Sequence, residues 1–219
     1  MNLNETVLNY IENCEYNEPI FMEDIKLYIE NFFYDKKKKL DNKKTYNNLK
    51  MIISRLNKEN ILKTATKGVY YKPKHNIFGE VPLANIKIIQ YKYLVDKTGN
   101  KKGYLTGAIL FNKVGLTTQV PNVTDIVTNN CKFNTKYTNT NLNVTIRKPK
   151  LEINNENYIY LQLFDLIENK DKINIEVENE DEILYNFITE NKLNFEKIIK
   201  YARIINNKKI IEKILVLAR

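Results

Sequence analysis

Residues 45–71 read TYNNLKMIISRLNKENILKTATKGVYY and place an amphipathic helix directly before a short, basic hairpin. Successive residues of an α-helix are about 100° apart, so apolar and polar side chains separate onto two sides of it. The inward side is expected to carry Tyr46, Leu49, Ile52, Ile53 and Leu56. A helix that leads into a two-stranded wing is typical of a winged helix-turn-helix.

The opposite side of this helix carries side chains that can hydrogen-bond base edges or neutralise phosphates. These candidate DNA-binding residues are Lys43, Lys44, Thr45, Asn47, Asn48, Met51, Ser54, Arg55 and Lys58. We expect this face to enter the major groove of double-stranded DNA. A basic helix face is also compatible with simple solvation, which is the competing interpretation.

The hairpin is expected to form the wing. Asn60 suits the left-handed residue that often ends a helix, and strands are predicted at 61–65 and 69–71. Gly68 can adopt the positive φ that the tip requires. The wing residues expected to face the DNA backbone are Lys63, Thr64, Thr66 and Lys67.

The charge distribution favours nucleic acid over simple solvation. The whole chain has a net charge of +9. Residues 36–75 hold thirteen Lys and Arg against two acids, a local charge of +11, whereas residues 1–35 hold one Lys and eight acids, a local charge of −7. Positive charge concentrated around one helix and its wing is an electrostatic footprint for nucleic acid. The run of lysines at 36–39 is expected to form a loop.

Composition excludes several other classes of protein. No segment of the 219 residues approaches the roughly 20 apolar residues that a membrane helix needs, so we expect a cytoplasmic protein without membrane contact. Cys14 and Cys131 are expected to be reduced thiols in the core. His75 is the only histidine, and no phosphate-binding glycine loop is present.

We therefore expect no catalysis, no cofactor and no metal. The acidic residues 180–182 are expected to occupy the first turn of a helix, where negative charge is favourable. The competing hypothesis is a nucleic-acid-modifying enzyme guided by the winged helix, with Asp125 and Asp165 or Glu152 as metal ligands.

The chain is predicted to contain two domains, a winged helix-turn-helix at 1–75 and an α+β domain at 76–219. In the first domain, Asn4 is expected to cap a helix at 4–14, followed by a strand at 19–21 and a helix at 22–33. Residues 72–82 are expected to be a connection. The second domain should have a small, mainly antiparallel sheet and a helical C-terminus. Its predicted helices lie at 83–95, 107–114, 156–168, 181–190, 194–205 and 207–217, and its strands at 102–105, 123–128, 132–137 and 142–147.

Three segments resemble one family. GVYYKP at 68–73, FGEVP at 78–82 and GYLTGAILFNKVGLTTQVPN at 103–122 are similar to AbiEi-type antitoxins, the antitoxin halves of bacterial type IV toxin-antitoxin and phage-defence pairs. The resemblance extends from the predicted winged helix to the helix near residues 161–166 and weakens beyond it. Asn60 is a departure, because relatives usually have glycine there.

The resemblance implies a repressor that binds the promoter of its own operon, with inverted repeats expected in the operator. It also implies a second domain that counteracts a nucleotidyltransferase-like toxin encoded beside it. The DNA-binding role falls on residues 43–58 and 63–68, and the role of the second domain falls loosely on 106–121. A plain transcriptional regulator without a toxin partner would share every feature of the first domain.

The segment at 106–121 has two interpretations. In the structural one, Thr106 caps a helix, Gly115 ends it and Pro121 stiffens the following loop. In the functional one, polar groups surround the start of that helix and bind a phosphate or carboxylate. The residues of this functional loop would be Thr106, Gly107, Thr117, Thr118 and Gln119.

Overall fold

The computed structural model describes residues 2–35 and 42–217 and has a mixed α+β fold. The chain divides into two units, Met1–Ile88 and Ile89–Arg219. This boundary lies later than the predicted one after residue 75, because a hairpin that follows residue 73 belongs to the first unit. The lysines at 36–39, predicted to form a loop, lie outside the described residues.

The first unit combines helices with a three-stranded sheet and a separate hairpin. In chain order, its elements are α1 (Leu3–Glu12), β1 (Ile20–Phe21), α2 (Met22–Asp35), α3 (Asn42–Lys58), β2 (Lys63–Thr66), β3 (Val69–Tyr71), β4 (Lys74–Asn76), β5 (Gly79–Val81) and α4 (Asn85–Ile89), whose last residue begins the second unit. The sheet has the antiparallel order β1-β3-β2, with Ile20 opposite Tyr70 and Lys63 opposite Tyr71. Thus α3 leads directly into a hairpin, as predicted, although β2 starts later than expected.

The core of the first unit is formed by the apolar faces of α1, α2 and α3. Its buried residues include Val7, Ile11, Ile20, Ile25, Ile29, Leu49, Ile53, Leu56 and Leu62. The predicted inward stripe of α3 is confirmed for Leu49, Ile53 and Leu56, whereas Tyr46 and Ile52 are half-buried at its edge. Burial of this stripe determines which side of α3 faces solvent.

Local sequence signals set the ends of these helices. Asn2, not the predicted Asn4, caps α1: its Oδ1 accepts from the Glu5 backbone N–H at 3.0 Å, and Glu5 Oε2 accepts from the Asn2 backbone N–H at 2.9 Å. This reciprocal arrangement needs a Glu or Gln three residues after the cap, and only Asn2 has one. Asn60 has φ +59 after α3, which confirms the predicted left-handed residue.

Residues 74–81 form the hairpin β4–β5 where a connection was predicted, and that prediction was wrong. The Asn76 side chain accepts from the Phe78 backbone N–H at 2.8 Å and closes the turn. The Tyr71 hydroxyl donates to Glu80 Oε1 at 2.8 Å and ties β5 to β3. The tip residues Ile77 and Phe78 are 91% and 90% exposed. Alternation of apolar and polar residues is absent, because neither face of the hairpin lies on a core.

The second unit is a four-stranded sheet with helices after it. A π-helical turn at Gln90–Leu94 precedes β6 (Gly103–Thr106), α5 (Ala108–Lys113), β7 (Thr124–Thr128), β8 (Tyr137–Asn139), β9 (Val144–Arg147) and α6 (Tyr158–Asn169), then a 3-10 turn at Lys170–Lys172, α7 (Glu180–Glu190), α8 (Phe195–Ile204) and α9 (Lys208–Leu217). The strand order is β6-β7-β9-β8. β6–β7 and β8–β9 are antiparallel and β7–β9 is parallel, so the sheet is mainly antiparallel, as expected.

The helix α6 is the centre of the second core. Seven of its twelve residues are buried, and they cover most of its circumference: Tyr160, Leu161, Leu163, Phe164, Asp165, Leu166 and Ile167. A helix that is apolar on nearly all sides lies inside a domain. The carboxylate of Asp165 is therefore carried into an apolar interior.

Three predicted elements of the second unit need correction. Thr106 ends β6 and does not cap α5, which begins after Gly107. The strand predicted at 132–137 is displaced, because residues 132–136 are not in a strand and β8 starts at Tyr137. The helix predicted at 83–95 consists of α4 and the π-helical turn, and Val95 is extended. For this helix the apolar pattern predicted helical structure correctly, but the pattern carries no signal of the change from α-helix to π-helix.

The orientation of α3 can be tested by paired truncations of Leu49 and Met51. Leu49 is 1% exposed and Met51 is 71% exposed. Leu49→Ala should lower the free energy of unfolding by about 2–5 kcal/mol, because it leaves a cavity in the core. Met51→Ala should change it by no more than about 0.5 kcal/mol, as surface substitutions usually do. Urea unfolding curves of both variants provide the measurement. Equal losses would contradict this orientation.

Candidate functional site

The outward face of α3 is formed by the predicted DNA-binding side chains. Ten of the thirteen predicted residues are exposed and three are half-buried, so none is taken up by the core. The exposed ones are Lys43, Lys44, Asn47, Asn48, Met51, Ser54, Arg55, Lys58, Thr64 and Lys67, and the half-buried ones are Thr45, Lys63 and Thr66. Apart from Thr45, which the helical repeat places on the inward side between Ile52 and Leu56, those on α3 share one side of the helix. The face therefore forms one continuous polar surface about four turns long.

Arg55 is held by neighbours within the first unit. Its guanidinium donates to the Asn4 side-chain oxygen at the start of α1. Its Nε also lies 3.8 Å from Glu59 Oε1, and both side chains are about half exposed. Glu59 follows the end of α3, and α3 itself contains no acidic residue. The face of the helix is consequently positive or neutral along its whole length.

Two further lysines flank this face, and the sequence analysis assigned neither to it. Lys26 Nζ lies 3.9 Å from the centre of the Tyr46 ring, and Lys50 Nζ lies 4.2 Å from it. A cation over an aromatic ring is favourable, so Tyr46 collects positive charge from α2 and α3. In the sequence, the available signal was the position of Tyr46 at the edge of the apolar stripe of α3.

The wing residues differ in how strongly they are engaged. Lys63 Nζ donates to Asn60 Oδ1 at 2.7 Å and lies 3.6 Å from Glu80 Oε2. The Thr64 hydroxyl donates to Asn57 Oδ1 at 3.2 Å. Lys67 is exposed at the tip, beside Gly68 with φ +77. Of the wing residues, Lys67 is therefore the best placed to contact a phosphate.

An open, shallow groove lies between the start of α1 and the outward face of α3. It is lined by Asn2, Leu3, Asn4, Asn48, Met51, Ile52 and Arg55. Asn4, which is bonded to the Arg55 guanidinium, and Asn48 thus line the same groove. Sequence reasoning missed the contribution of α1, because its residues are far from α3 in the chain and no short-range pattern connects them.

The predicted functional loop of the second unit does not form a single site. Thr117 is buried, and its hydroxyl donates to Glu176 Oε1 at 3.4 Å. The backbone and hydroxyl of Thr118 both donate to Glu176 Oε2, at 2.9 and 2.7 Å. Thr106 and Gly107 lie with Gln119 along a cavity. Thr117 and Thr118 therefore fasten residue 176 to the loop, and only the other three predicted residues line a space.

A buried hydrogen-bond network lies beneath that cavity. Asp165 Oδ2 accepts from Arg147 Nη2 at 2.5 Å and from the Thr106 hydroxyl at 2.6 Å. Burial, followed by the neighbouring Asp165 carboxylate, raises the pKa of Tyr104 well above its usual value of 10.0. Tyr104 therefore stays protonated and serves as a donor next to Asp165. The network joins β6, β9 and α6.

The metal ligands of the competing enzyme hypothesis are not all gathered in one place. Asp125 lines the cavity, and Asp165 lies beneath it, bound to Arg147. Glu152 is exposed and is not among the residues that line it. Within the described part of the chain, no group of three or more His, Cys, Asp or Glu side chains is arranged to hold a metal ion.

The cysteines and the acidic cluster occupy ordinary positions. Cys131 is buried, whereas Cys14 is only half-buried, so the expected core location is correct for Cys131 alone. Residues 180–182 lie in the first turn of α7, as predicted. Of the helices in residues 2–35 and 42–217, none combines the length and apolar character needed to cross a membrane.

Comparison with known proteins identifies no family for this chain. No protein-family model matches the chain, and no curated protein matches it.

The contact between Glu176 and the loop can be tested through its pH dependence. Hydrogen bonds from Thr118, then those from Thr117, hold the pKa of Glu176 below its usual value of 4.5. The stabilisation is therefore complete above the unfolded-state pKa and is lost as the pH falls through the folded-state pKa. Glu176→Gln should lower the melting temperature at about pH 7 and have a smaller effect below about pH 4.

Glu178→Gln is the matched control, because Glu178 is also exposed and lies two residues further along the chain. Its melting temperature should follow that of the unaltered protein at each pH. A loss caused by Glu176→Gln that is the same at both pH values would show that the carboxylate contact with the loop does not stabilise the fold.

Proposed function

We propose that this protein is a winged-helix DNA-binding antitoxin that represses its own operon and counteracts a nucleotidyltransferase-like toxin encoded beside it. The observation that carries the DNA-binding part is the outward face of α3, which is exposed, free of acidic residues and rich in amides and lysines. The role as an antitoxin rests on the resemblance of residues 68–122 to AbiEi-type antitoxins.

The order of elements in the first unit supports a winged helix. Three helices and an intervening strand are followed by the β2–β3 hairpin, and β1 completes the sheet beside β3. In helix-turn-helix proteins the recognition helix lies in the major groove. The amphipathic α3 would take that position, and the hairpin tip with Lys67 would contact the adjacent backbone.

The chemistry of the α3 face suits direct reading of bases. Asn47 and Asn48 carry amides, and an amide can bond the N6 and N7 groups of adenine at the same time. Met51 is apolar and can contact a thymine methyl group, while Ser54 can bond to any base. Lys44 and Lys58 lie toward the two ends of the face, where a helix in the groove approaches phosphates.

The charge distribution supports rapid and salt-sensitive association. Residues 36–75 carry +11 by sequence, and Lys26 of α2 adds a further positive charge beside Lys50 at the Tyr46 ring. Each phosphate neutralised by a lysine releases counterions, so affinity falls steeply as salt rises. A single small domain reads few base pairs, and two copies on an inverted repeat would supply the missing specificity.

DNA binding can be tested with Asn47→Ala and Lys67→Ala in the full chain, using fluorescence anisotropy with the promoter fragment of its own operon. Asn47→Ala should weaken binding by about 1–3 kcal/mol if its amide bonds a base, and should relax sequence preference at one position. Lys67→Ala should weaken binding to all sequences and reduce the slope of log K against log salt by about one.

Lys197→Gln is the control for removal of a charge, because Lys197 is exposed on α8 in the second unit. It should leave binding and its salt dependence close to those of the unaltered protein. Unchanged affinity in both the Asn47 and Lys67 variants would contradict the placement of the DNA interface on α3 and the wing.

A plain transcriptional regulator is the second candidate, because every feature of the first unit fits it equally well. Co-expression with the adjacent gene separates the two. The full chain should rescue growth from the toxicity of that gene, and the Asn47→Ala and Lys67→Ala double variant should still do so while losing repression. A neighbour without toxicity, together with intact promoter binding, would favour the plain regulator.

A further inference from the structure

A cavity of about 310 Å³ lies in the second unit, beside the end of β6. Distant parts of the sequence line it: the β6–α5 junction, β7, the loop before β8, β9 and the 3-10 turn after α6. Sites for small molecules typically enclose roughly 300–1,000 Å³. The cavity is at the lower end of this range, which suits a small metabolite better than a polypeptide segment.

Three cationic side chains from three separate segments line this cavity: Lys136, Arg147 and Lys172. The Lys172 ammonium donates to the neutral Asn169 Oδ1 at 3.1 Å, which fixes its position without neutralising it. For Lys136, the described part of the chain contains no acid within ion-pair distance. These two lysines are therefore positive groups available to an anion.

Arg147 is fixed more firmly than either lysine. Its Nη2 contacts Asp165 Oδ2 at 2.5 Å, and its side chain is 25% exposed while that of Asp165 is 6% exposed. The contact restrains the guanidinium plane, whose five N–H donors have a rigid geometry. The donors that Asp165 does not use are thereby pre-oriented at the wall of the cavity. A planar guanidinium beside two lysines matches the oxygens of a phosphate.

Asp125 adds one acceptor to this basic cavity. It lines the cavity from β7, and its carboxylate lies against the backbone at Gly107, where a Cβ would meet Asp125 Oδ2 at 2.5 Å. Gly107 also has φ +65, so glycine is required twice over at this position. A carboxylate repels a phosphate but accepts hydrogen bonds from hydroxyl groups. It would therefore select a phosphate that carries a hydroxylated group.

We propose that this cavity binds a small, hydroxylated phosphate ester of the sugar phosphate or nucleotide class. The phosphate is held by Lys136, Arg147 and Lys172, and a hydroxyl group donates to Asp125. The positive charge comes from these side chains and not from the amino terminus of α5, which is only six residues long. The lining residues all lie between 106 and 173, so the site is built from the second unit alone.

Isothermal titration calorimetry of the full chain with ribose 5-phosphate, adenosine monophosphate and inorganic phosphate tests the proposal. Ribose 5-phosphate or adenosine monophosphate should bind, and inorganic phosphate should bind more weakly. The double variant Lys136→Gln and Lys172→Gln should weaken binding by at least about tenfold, because it removes two charge-assisted hydrogen bonds. Both lysines are exposed, so the fold should be preserved. Arg147 is left intact because its loss would strand the buried Asp165.

Lys148→Gln is the matched control, since Lys148 is exposed next to Arg147 in the chain but is not among the lining residues. It should bind as the unaltered protein does. Asp125→Ala should reduce the preference for ribose 5-phosphate over inorganic phosphate. The proposal would be overturned if neither organic phosphate bound, or if the double variant bound them with unchanged affinity. Inorganic phosphate binding as tightly as ribose 5-phosphate would overturn the role of Asp125.

Discussion

Burial of one side of α3 is the constraint on which the first unit depends. Leu49, Ile53 and Leu56 are between 1% and 2% exposed, and they fix the rotation of the helix about its own axis. Because side chains on a helix are about 100° apart, this rotation also fixes which groups face solvent. The rotation of α3 alone therefore exposes its amides and lysines together on the opposite side. The same packing interaction provides stability and the orientation of the proposed interface.

A different kind of interaction organises the second unit. Asp165 is carried on the most buried helix of that unit, and an ionised carboxylate in such a place is costly unless it is paired and hydrogen-bonded. Arg147 and Thr106 supply those partners from β9 and β6. The need to satisfy Asp165 thereby holds two strands against α6, and it also places a guanidinium at the wall of the cavity. A polar residue in the core thus determines the chemistry of a surface feature.

Sequence patterns predicted those parts of the fold that depend on local periodicity. The amphipathic helix at 42–58, the left-handed Asn60, the alternating strand through Val144 and Ile146, and the four C-terminal helices all leave a short-range signal. The hairpin at 74–81 was missed because it packs neither face on a core and so shows no alternation. The role of Thr106 was misassigned because its partner, Asp165, is fifty-nine positions away. Contacts at that separation are determined by tertiary packing, which the spacing of residues in one segment does not encode.

The same limit applies to the candidate sites. The exposed residues of α3 could be named from the helical repeat alone, whereas the side chains that line the cavity come from segments spread over residues 106–173. Thr117 and Thr118 were grouped with Thr106 and Gly107 because they are close in sequence. In the folded chain Thr117 and Thr118 donate hydrogen bonds to the Glu176 carboxylate, whereas Thr106 and Gly107 line the cavity. Proximity in sequence therefore does not predict a shared site when different residues of a loop contact different parts of the fold.

The environment of Arg55 would favour the proposed contact with DNA. Its guanidinium is restrained by Asn4 and lies 3.8 Å from Glu59, with both charged side chains about half exposed. An ion pair at such an exposed position contributes only about 0–1 kcal/mol to stability. In the proposed complex, replacing Glu59 by a phosphate would therefore cost little stability, and the restraint from α1 would reduce the side-chain entropy lost on binding. The start of α1 would in this way contribute to recognition by α3 without contacting a base itself.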